Sequence, residues 1–248
     1  MVLRHLADLA DLVLAAGCAG CGARPAGTIC AGCRPALLQP PALRWPTPVP
    51  PGLPPPWAIG EYSGVLRELL LAHKERGRLG LARPLGAALA ASLTAALAGP
   101  DGPGSPAVIA VPMPSRSAAV RQRGHDATRR LAGAAASDLR RQGVDLSVVP
   151  VLRMRSSAAD QSGLGAAARQ QNLRGALLVP PGLRPLVTGA RVVLVDDLVT
   201  TGASLAEAAR VLRTHGAVVV ASALVAATTR YHPSPAPTGG VRDRPRGD

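Results

Sequence analysis

The stretch "RVVLVDDLVTTGASLAEAARVLRTHGA", residues 191–217, changes pattern twice. Residues 191–195 form an apolar run too short for a helix, which predicts a buried strand. Two adjacent acids follow, Asp196 and Asp197, and then a turn through Thr200, Thr201, Gly202, Ala203 and Ser204. Residues 203–215 continue with helical periodicity, and 217–226 return as a second apolar strand. Strands that alternate with helices in this way imply a mostly parallel sheet covered on both faces. Ligands of such sheets bind beyond the carboxyl ends of the strands, which is where the two acids fall.

The turn has a specific chemistry. A helix N-terminus offers unpaired N–H groups and the positive end of the helix dipole. Thr200, Thr201 and Ser204 add hydroxyls, and Gly202 permits close backbone approach, so the turn reads as a phosphate cradle. It lacks the Gly-Lys-Ser/Thr of a nucleoside-triphosphatase loop. The carboxylates would repel phosphate, so they need another partner. Two adjacent sugar hydroxyls suit them, bound directly or through a hydrated Mg²⁺. A phosphate on one side and a diol on the other describe a ribose 5-phosphate. An isolated acid pair would read as solvated side chains at a strand end; the complete turn argues against that.

Working outward, the same alternation extends from Trp57 to about residue 230. A strand is predicted at 57–62, helices at 64–75 and 79–98, a strand at 107–111, a helix over 117–141 and a strand at 146–151. Leu66, Leu69, Leu70 and His73 share one helical face. Four segments result: 1–40 with an N-terminal helix and every cysteine, a proline-rich connector at 41–56, the α/β unit at 57–230, and a tail at 231–248 rich in Pro, Gly and Arg that predicts disorder. The apolar stripe Leu3, Leu6, Leu9, Val13 is interrupted by Asp8 and Asp11. It reads as a short amphipathic helix rather than a signal or membrane segment, so a cytoplasmic protein without a membrane span is expected.

Composition narrows the partners. Phe is absent and aromatics make up 2% of the 248 residues, so the core must be Leu, Val, Ala and Ile. The net charge of +13 comes almost wholly from arginine, since Lys74 is the sole lysine. Such a charge suits nucleic acid or anionic substrates, or equally a dispersed solvated surface. No aromatics interleave with the arginines, which speaks against a base-stacking platform. A lone ammonium retained in so arginine-rich a chain suggests a site needing a compact cation, with a chance surface lysine as the alternative.

Cys18-Ala-Gly-Cys21 and Cys30-Ala-Gly-Cys33 use all four cysteines. Two CxxC pairs supply the thiolates of a closed tetrahedral Zn²⁺ site with a structural or docking role. An iron–sulfur cluster or a redox dithiol remain the other readings.

The run "VVLVDDLVTTGAS" resembles the phosphoribosyl pyrophosphate signature of type I phosphoribosyltransferases. With "HKERGR", "VPMPSRSAAVRQRGHD", "ADQSGLGAAARQQNLRGAL" and the cysteines, the chain resembles the ComF family over residues 15–230. The resemblance implies a Rossmann-like phosphoribosyltransferase core behind a small zinc module. It implies ribose binding by Asp196 and Asp197, and 5-phosphate binding by Thr200 to Ser204. Lys74, Arg116, Arg121 and Arg123 fall on the pyrophosphate side, and Gln161, Arg169 and Asn172 in a mobile flap. Phosphoribosyl pyrophosphate with Mg²⁺ is the implied ligand, and phosphoribosyl transfer the implied reaction, with no general acid or base identifiable. The alternative is a non-catalytic sensor or scaffold that contacts single-stranded DNA or the DNA-uptake machinery of competent bacteria. His125-Asp126 departs from the family's Phe-Asn, and His125 reads as a packing substitute rather than a base.

Overall fold

The computed structural model describes residues 17–24, 27–98, 108–155 and 175–228. In chain order the elements are β1 (Ala42–Leu43), β2 (Pro56–Glu61), α1 (Gly64–Lys74), α2 (Ala82–Leu97), β3 (Val108–Pro112), α3 (Ser117–Arg123), α4 (Ala127–Arg141), β4 (Ser147–Val148), β5 (Arg153–Met154), β6 (Leu177–Leu178), β7 (Arg191–Val195), β8 (Leu198–Val199), α5 (Ala203–Thr214) and β9 (Val218–Ala227). Short 3₁₀ turns lie at Arg34–Leu37, Leu79–Leu81 and Pro181–Leu186.

The central sheet runs β1-β2-β9-β7-β3-β4, with β8 also paired to β9. Every pairing in it is parallel except β1 with β2. Successive residues of a strand face opposite sides, so β7 feeds two cores. Val193 and Val195 join Leu69 and Leu70 of α1, Leu85 and Leu89 of α2 and Leu131 of α4. Val192 and Leu194 join Leu205, Ala208 and Leu212 of α5. A strand buried on both faces must be apolar throughout, which is why residues 191–195 carry no alternation.

Leu79–Leu97 is long and apolar enough to cross a membrane by length and composition. Its Leu81, Leu85, Leu89 and Leu93 are fully buried in the protein core, which accounts for that composition.

The sequence expectation fails in two places. The single helix predicted over 117–141 is two. Gly124 takes a left-handed conformation (φ 73°) and ends α3, and Asp126 accepts a hydrogen bond from the Arg129 N–H at 3.1 Å to start α4. Cap chemistry overrides the continuous helical pattern. The strand predicted at 146–151 pairs only at Ser147 and Val148, ahead of Pro150, which has no N–H to donate. The proline-rich stretch contributes the edge strand β1, and Leu53 within it is buried.

α2 and α4 pack closely because Gly86 faces Ala134; a Cβ on Gly86 would stand 2.5 Å from the Ala134 Cβ. Alanine is normally the better helix residue by about 1 kcal/mol. Overpacking costs about 1–3 kcal/mol and should win here. Gly86→Ala is expected to lower the urea midpoint; an unchanged or raised midpoint would show that the helices separate freely.

Candidate functional site

The site is built by register. Pro112 of β3 sits opposite Val195 of β7, and the Met113 N–H donates to the Val195 carbonyl at 2.8 Å. The Met113–Arg116 loop and the acids Asp196 and Asp197 therefore leave adjacent strands at one level. β8 then pairs with the end of β9, and the Thr228 N–H donates to the Val199 carbonyl at 2.9 Å, steadying the start of the hydroxyl turn.

Asp197 is 5% exposed, and its Oδ2 accepts a hydrogen bond from Lys74 Nζ at 2.7 Å. Lys74 is the last residue of α1, where the negative end of the helix dipole favours a cation. Burial alone would lower the Lys74 pKa, but the Asp197 carboxylate outweighs it and the net shift is upward. Asp196 Oδ1 accepts from the Asp197 N–H at 2.8 Å and from the Thr128 hydroxyl at 3.4 Å. Burial, and then the neighbouring Asp197 carboxylate, push the Asp196 pKa well above the ordinary carboxylate range; Lys74 offsets only part of this.

Gly202 opens α5 with φ 73°, and a Cβ on it would stand 2.9 Å from Leu53 Cδ2, so both conformation and space require glycine. Gly202, at the cap position, has no side chain to satisfy the first-turn N–H groups. The Thr201 hydroxyl lies 3.4 Å from the Ala203 N–H, and Thr200, Thr201 and Ser204 are exposed. The turn thus presents hydroxyls and first-turn N–H groups to solvent, as an anion cradle requires.

One cavity of about 450 Å³ gathers Lys74, Arg116, Arg123, Asp196, Asp197, Thr200, Thr201, Gly202 and Ser204. Ala203 is not on its wall, and Arg121 lines a neighbouring cavity instead. Arg123 is held by Glu75 Oε1 at 3.0 Å and by the Ala119 carbonyl at 3.2 Å. The ring nitrogens of His125 lie 3.0 Å and 3.3 Å from the carbonyls of Arg123 and His73, and its ring packs 5.9 Å from that of His73. Gln161, Arg169 and Asn172 lie outside the described residues.

Sequence reasoning missed Thr128, Glu75 and Glu207. Glu207 lines the cavity yet is 5% exposed. It accepts from the Gly175 N–H at 2.7 Å and from Arg210 through two bonds, at 2.7 and 2.8 Å. An acid flanked by alanines in the helix "ASLAEAARVLRT" was the available signal.

The four cysteine sulfurs lie within 4.8 Å of one another, with Cys21 and Cys30 Sγ 3.6 Å apart. A tetrahedral zinc with about 2.3 Å bonds separates its sulfurs by about 3.8 Å, so the cluster can hold such an ion. Burial opposes ionisation of Cys18, but N–H groups directed at its sulfur, from Cys30 at 3.3 Å and Gly20 at 3.4 Å, bring its pKa down to about 6. Burial and the other sulfurs push Cys33 upward.

A family model for the phosphoribosyl transferase domain matches residues 129–236, a span that contains all but the first two residues of α4, and the whole of β7, the hydroxyl turn, α5 and β9. The chain therefore carries a phosphoribosyltransferase domain on a mostly parallel α/β sheet, with a four-cysteine cluster toward its N-terminus. This supports a place among type I phosphoribosyltransferase-like proteins. No curated protein matches the chain.

The raised pKa of Asp196 has a consequence for stability. Its protonated form is the one the fold favours, so its contribution is complete below the ordinary carboxylate range and is lost as pH rises through the raised value. Asp196→Asn keeps an oxygen for Asp197 and Thr128 and removes the charge. It is expected to raise the Tm of the ligand-free protein at pH 7, by about 2–4 °C for each kcal/mol relieved, and to flatten the acid side of the pH profile. A lower Tm at pH 7 would show that the ionised acid is supported by the fold.

For the cysteines, purified protein is expected to carry about one zinc per chain by elemental analysis and to lose stability on chelation. A metal-free preparation with an unchanged Tm would rule out a structural ion.

Proposed function

We propose that the protein binds phosphoribosyl pyrophosphate and acts as a phosphoribosyltransferase of the ComF type, with a cysteine-bound zinc module beside the transferase-like core. The observation that carries this reading is the meeting, in one cavity, of a lysine-paired acid dyad and an uncapped hydroxyl turn. Asp196 and Asp197 take the ribose hydroxyls, and Thr200, Thr201, Gly202 and Ser204 take the 5-phosphate through hydroxyl and N–H donors. Lys74, Arg116 and Arg123 face the pyrophosphate, the lysine as a compact ammonium and the arginines with guanidinium forks suited to phosphate oxygens. Mg²⁺, when bound with the ligand, would add charge neutralisation on the leaving group.

In the transfer, the C1–O bond to pyrophosphate breaks and the bonding pair leaves with it, while an acceptor lone pair forms the new bond to C1. Positive charge develops on the sugar ring beside the two carboxylates, and negative charge develops beside the cations. Both are placed to be stabilised by fixed groups rather than by solvent. Asp196 must also be ionised to serve a diol or a hydrated cation. Affinity is therefore expected to fall as pH drops through its raised value.

Calorimetric titration with phosphoribosyl pyrophosphate and Mg²⁺ tests the reading. Binding should weaken about a hundredfold in Asp196→Ala, the loss of two charge-assisted hydrogen bonds. Pyrophosphate release should then appear with some member of a panel of nucleobases. Binding without turnover would leave recognition and remove transfer, whereas no binding to the wild type would remove both.

A further inference from the structure

A second cavity, of about 350 Å³, adjoins the first. The two share Met113, Pro114, Ser115 and Met154, so they abut across the loop that follows β3. Three arginines from three elements line the second one: Arg121 of α3, Arg129 in the first turn of α4, and Arg153 of β5. Asp126 is the single acid on its wall, and its Oδ1 is occupied by the Ser115 hydroxyl at 2.9 Å and the Arg129 N–H at 3.1 Å.

The arginines differ in their engagement. Arg153 donates to the carbonyls of Pro150 at 2.7 Å and Leu152 at 2.9 Å, which orients its guanidinium. The side chains of Arg121 and Arg129 make no hydrogen bond or ion pair among the described residues. In the first cavity, by contrast, Lys74 and Arg123 are each paired with an acid. The break at Gly124 also matters. α3 buries none of its residues, so packing does not explain its turn away from α4; the turn brings Arg121 to the same wall as Arg129. The remaining lining is largely apolar, including Val120, Leu152 and Met154.

We propose that this cavity is a subsite for a small organic anion, with a phosphate or carboxylate held by Arg121 and Arg129 and an apolar body against Leu152 and Met154. Its volume falls at the lower end of small-molecule sites. Its lack of aromatic side chains disfavours a nucleic-acid strand. It is distinct from the leaving-group side of the first cavity, because Lys74, Arg116, Arg123 and both acids lie outside it. The placement of this anion beside a sugar phosphate rests on the function proposed above; the affinity for an anion does not.

The test uses phenyl phosphate and benzoate as probes, titrated by NMR with and without saturating phosphoribosyl pyrophosphate and Mg²⁺. At least one probe is expected to bind in both conditions, and the preferred one identifies phosphate or carboxylate as the natural head group. Arg129→Glu should weaken the probe at least about tenfold. It places Glu three residues after the Asp126 cap, a position helices favour, so the fold is retained. Affinity for phosphoribosyl pyrophosphate should fall by no more than about threefold, since Arg129 is exposed and lies outside the first cavity's wall. Arg121→Ala should weaken the probe in the same direction. The proposal is overturned if neither probe binds, if both variants bind like the wild type, or if pyrophosphate alone displaces the probe. If phosphoribosyl pyrophosphate fails to bind while the probes bind in an Arg129-dependent way, the sugar-phosphate reading falls and the anion subsite stands.

Discussion

The ion pair between Lys74 and Asp197 is the constraint on which the site depends. Asp197 is fixed at the sheet end, where its carbonyl accepts from the N–H groups of Val225 and Ala226. A buried carboxylate without a partner costs several kcal/mol, so a cation has to be delivered to it. The only lysine in the chain delivers it from the end of α1, and the place of α1 is set in turn by Leu66, Leu69 and Leu70 in the core. The next residue, Glu75, holds Arg123. One helix end thus positions two of the cations that face the cavity. The cysteine module leans on the same corner. The Arg78 N–H donates to the Ala72 carbonyl of α1 at 3.0 Å, while its guanidinium donates to the Gly17 carbonyl at 3.2 Å.

Asp196 is the opposite case, because the pairing that supports Asp197 supports it only in part. A protein selected for stability alone would not keep two carboxylates at one strand end, and sites that bind ligands commonly carry such a cost. The cost has a use if the missing counter-groups arrive with the ligand. Diol hydroxyls or a hydrated cation then relieve the repulsion, and the relief counts toward binding. The phosphate turn is prepared in a different way. Gly202 is pressed against Leu53 of the proline-rich stretch, and Ser222 of β9 donates its N–H to the Pro55 carbonyl at 2.8 Å. What reads in the sequence as a connector is also the backing of the turn.

Most of the architecture was legible because the rules that encode it are local. The unbroken apolar run at 191–195, the 3.6-residue stripe of α5 and the return at 218–227 each follow from facing a sheet or a core. The acid pair and hydroxyl turn were legible for the same reason, being contiguous in sequence. The partner of Asp197 was not, since Lys74 lies 123 positions away; only its rarity and the family resemblance pointed to it. Arg121 shows the converse limit. Its proximity in sequence to Arg116 and Arg123 suggested a common wall, but residues two apart on a helix face different sides, and Arg121 lines a different cavity from Arg123. Periodicity says which residues face the sheet, not which loop meets which strand end.

The paired histidines bear on the charge of Lys74. His73 is 1% exposed and directly precedes Lys74, and among the described residues its ring nitrogens make no well-formed hydrogen bond. Burial holds its pKa below the ordinary value, outweighing the Ala127 and Arg78 backbone groups that raise it, so the neutral ring is favoured at pH 7. A neutral imidazole there behaves as a small aromatic filler, packed against His125 in a chain that has no Phe to use. Its neutrality also serves the site. A charged His73 would place a second cation behind Lys74 and weaken the hold of Lys74 on its own proton. Keeping His73 dry and uncharged leaves Lys74 the one cation paired to Asp197 among the described residues, free to divide its donors between that acid and an incoming anion.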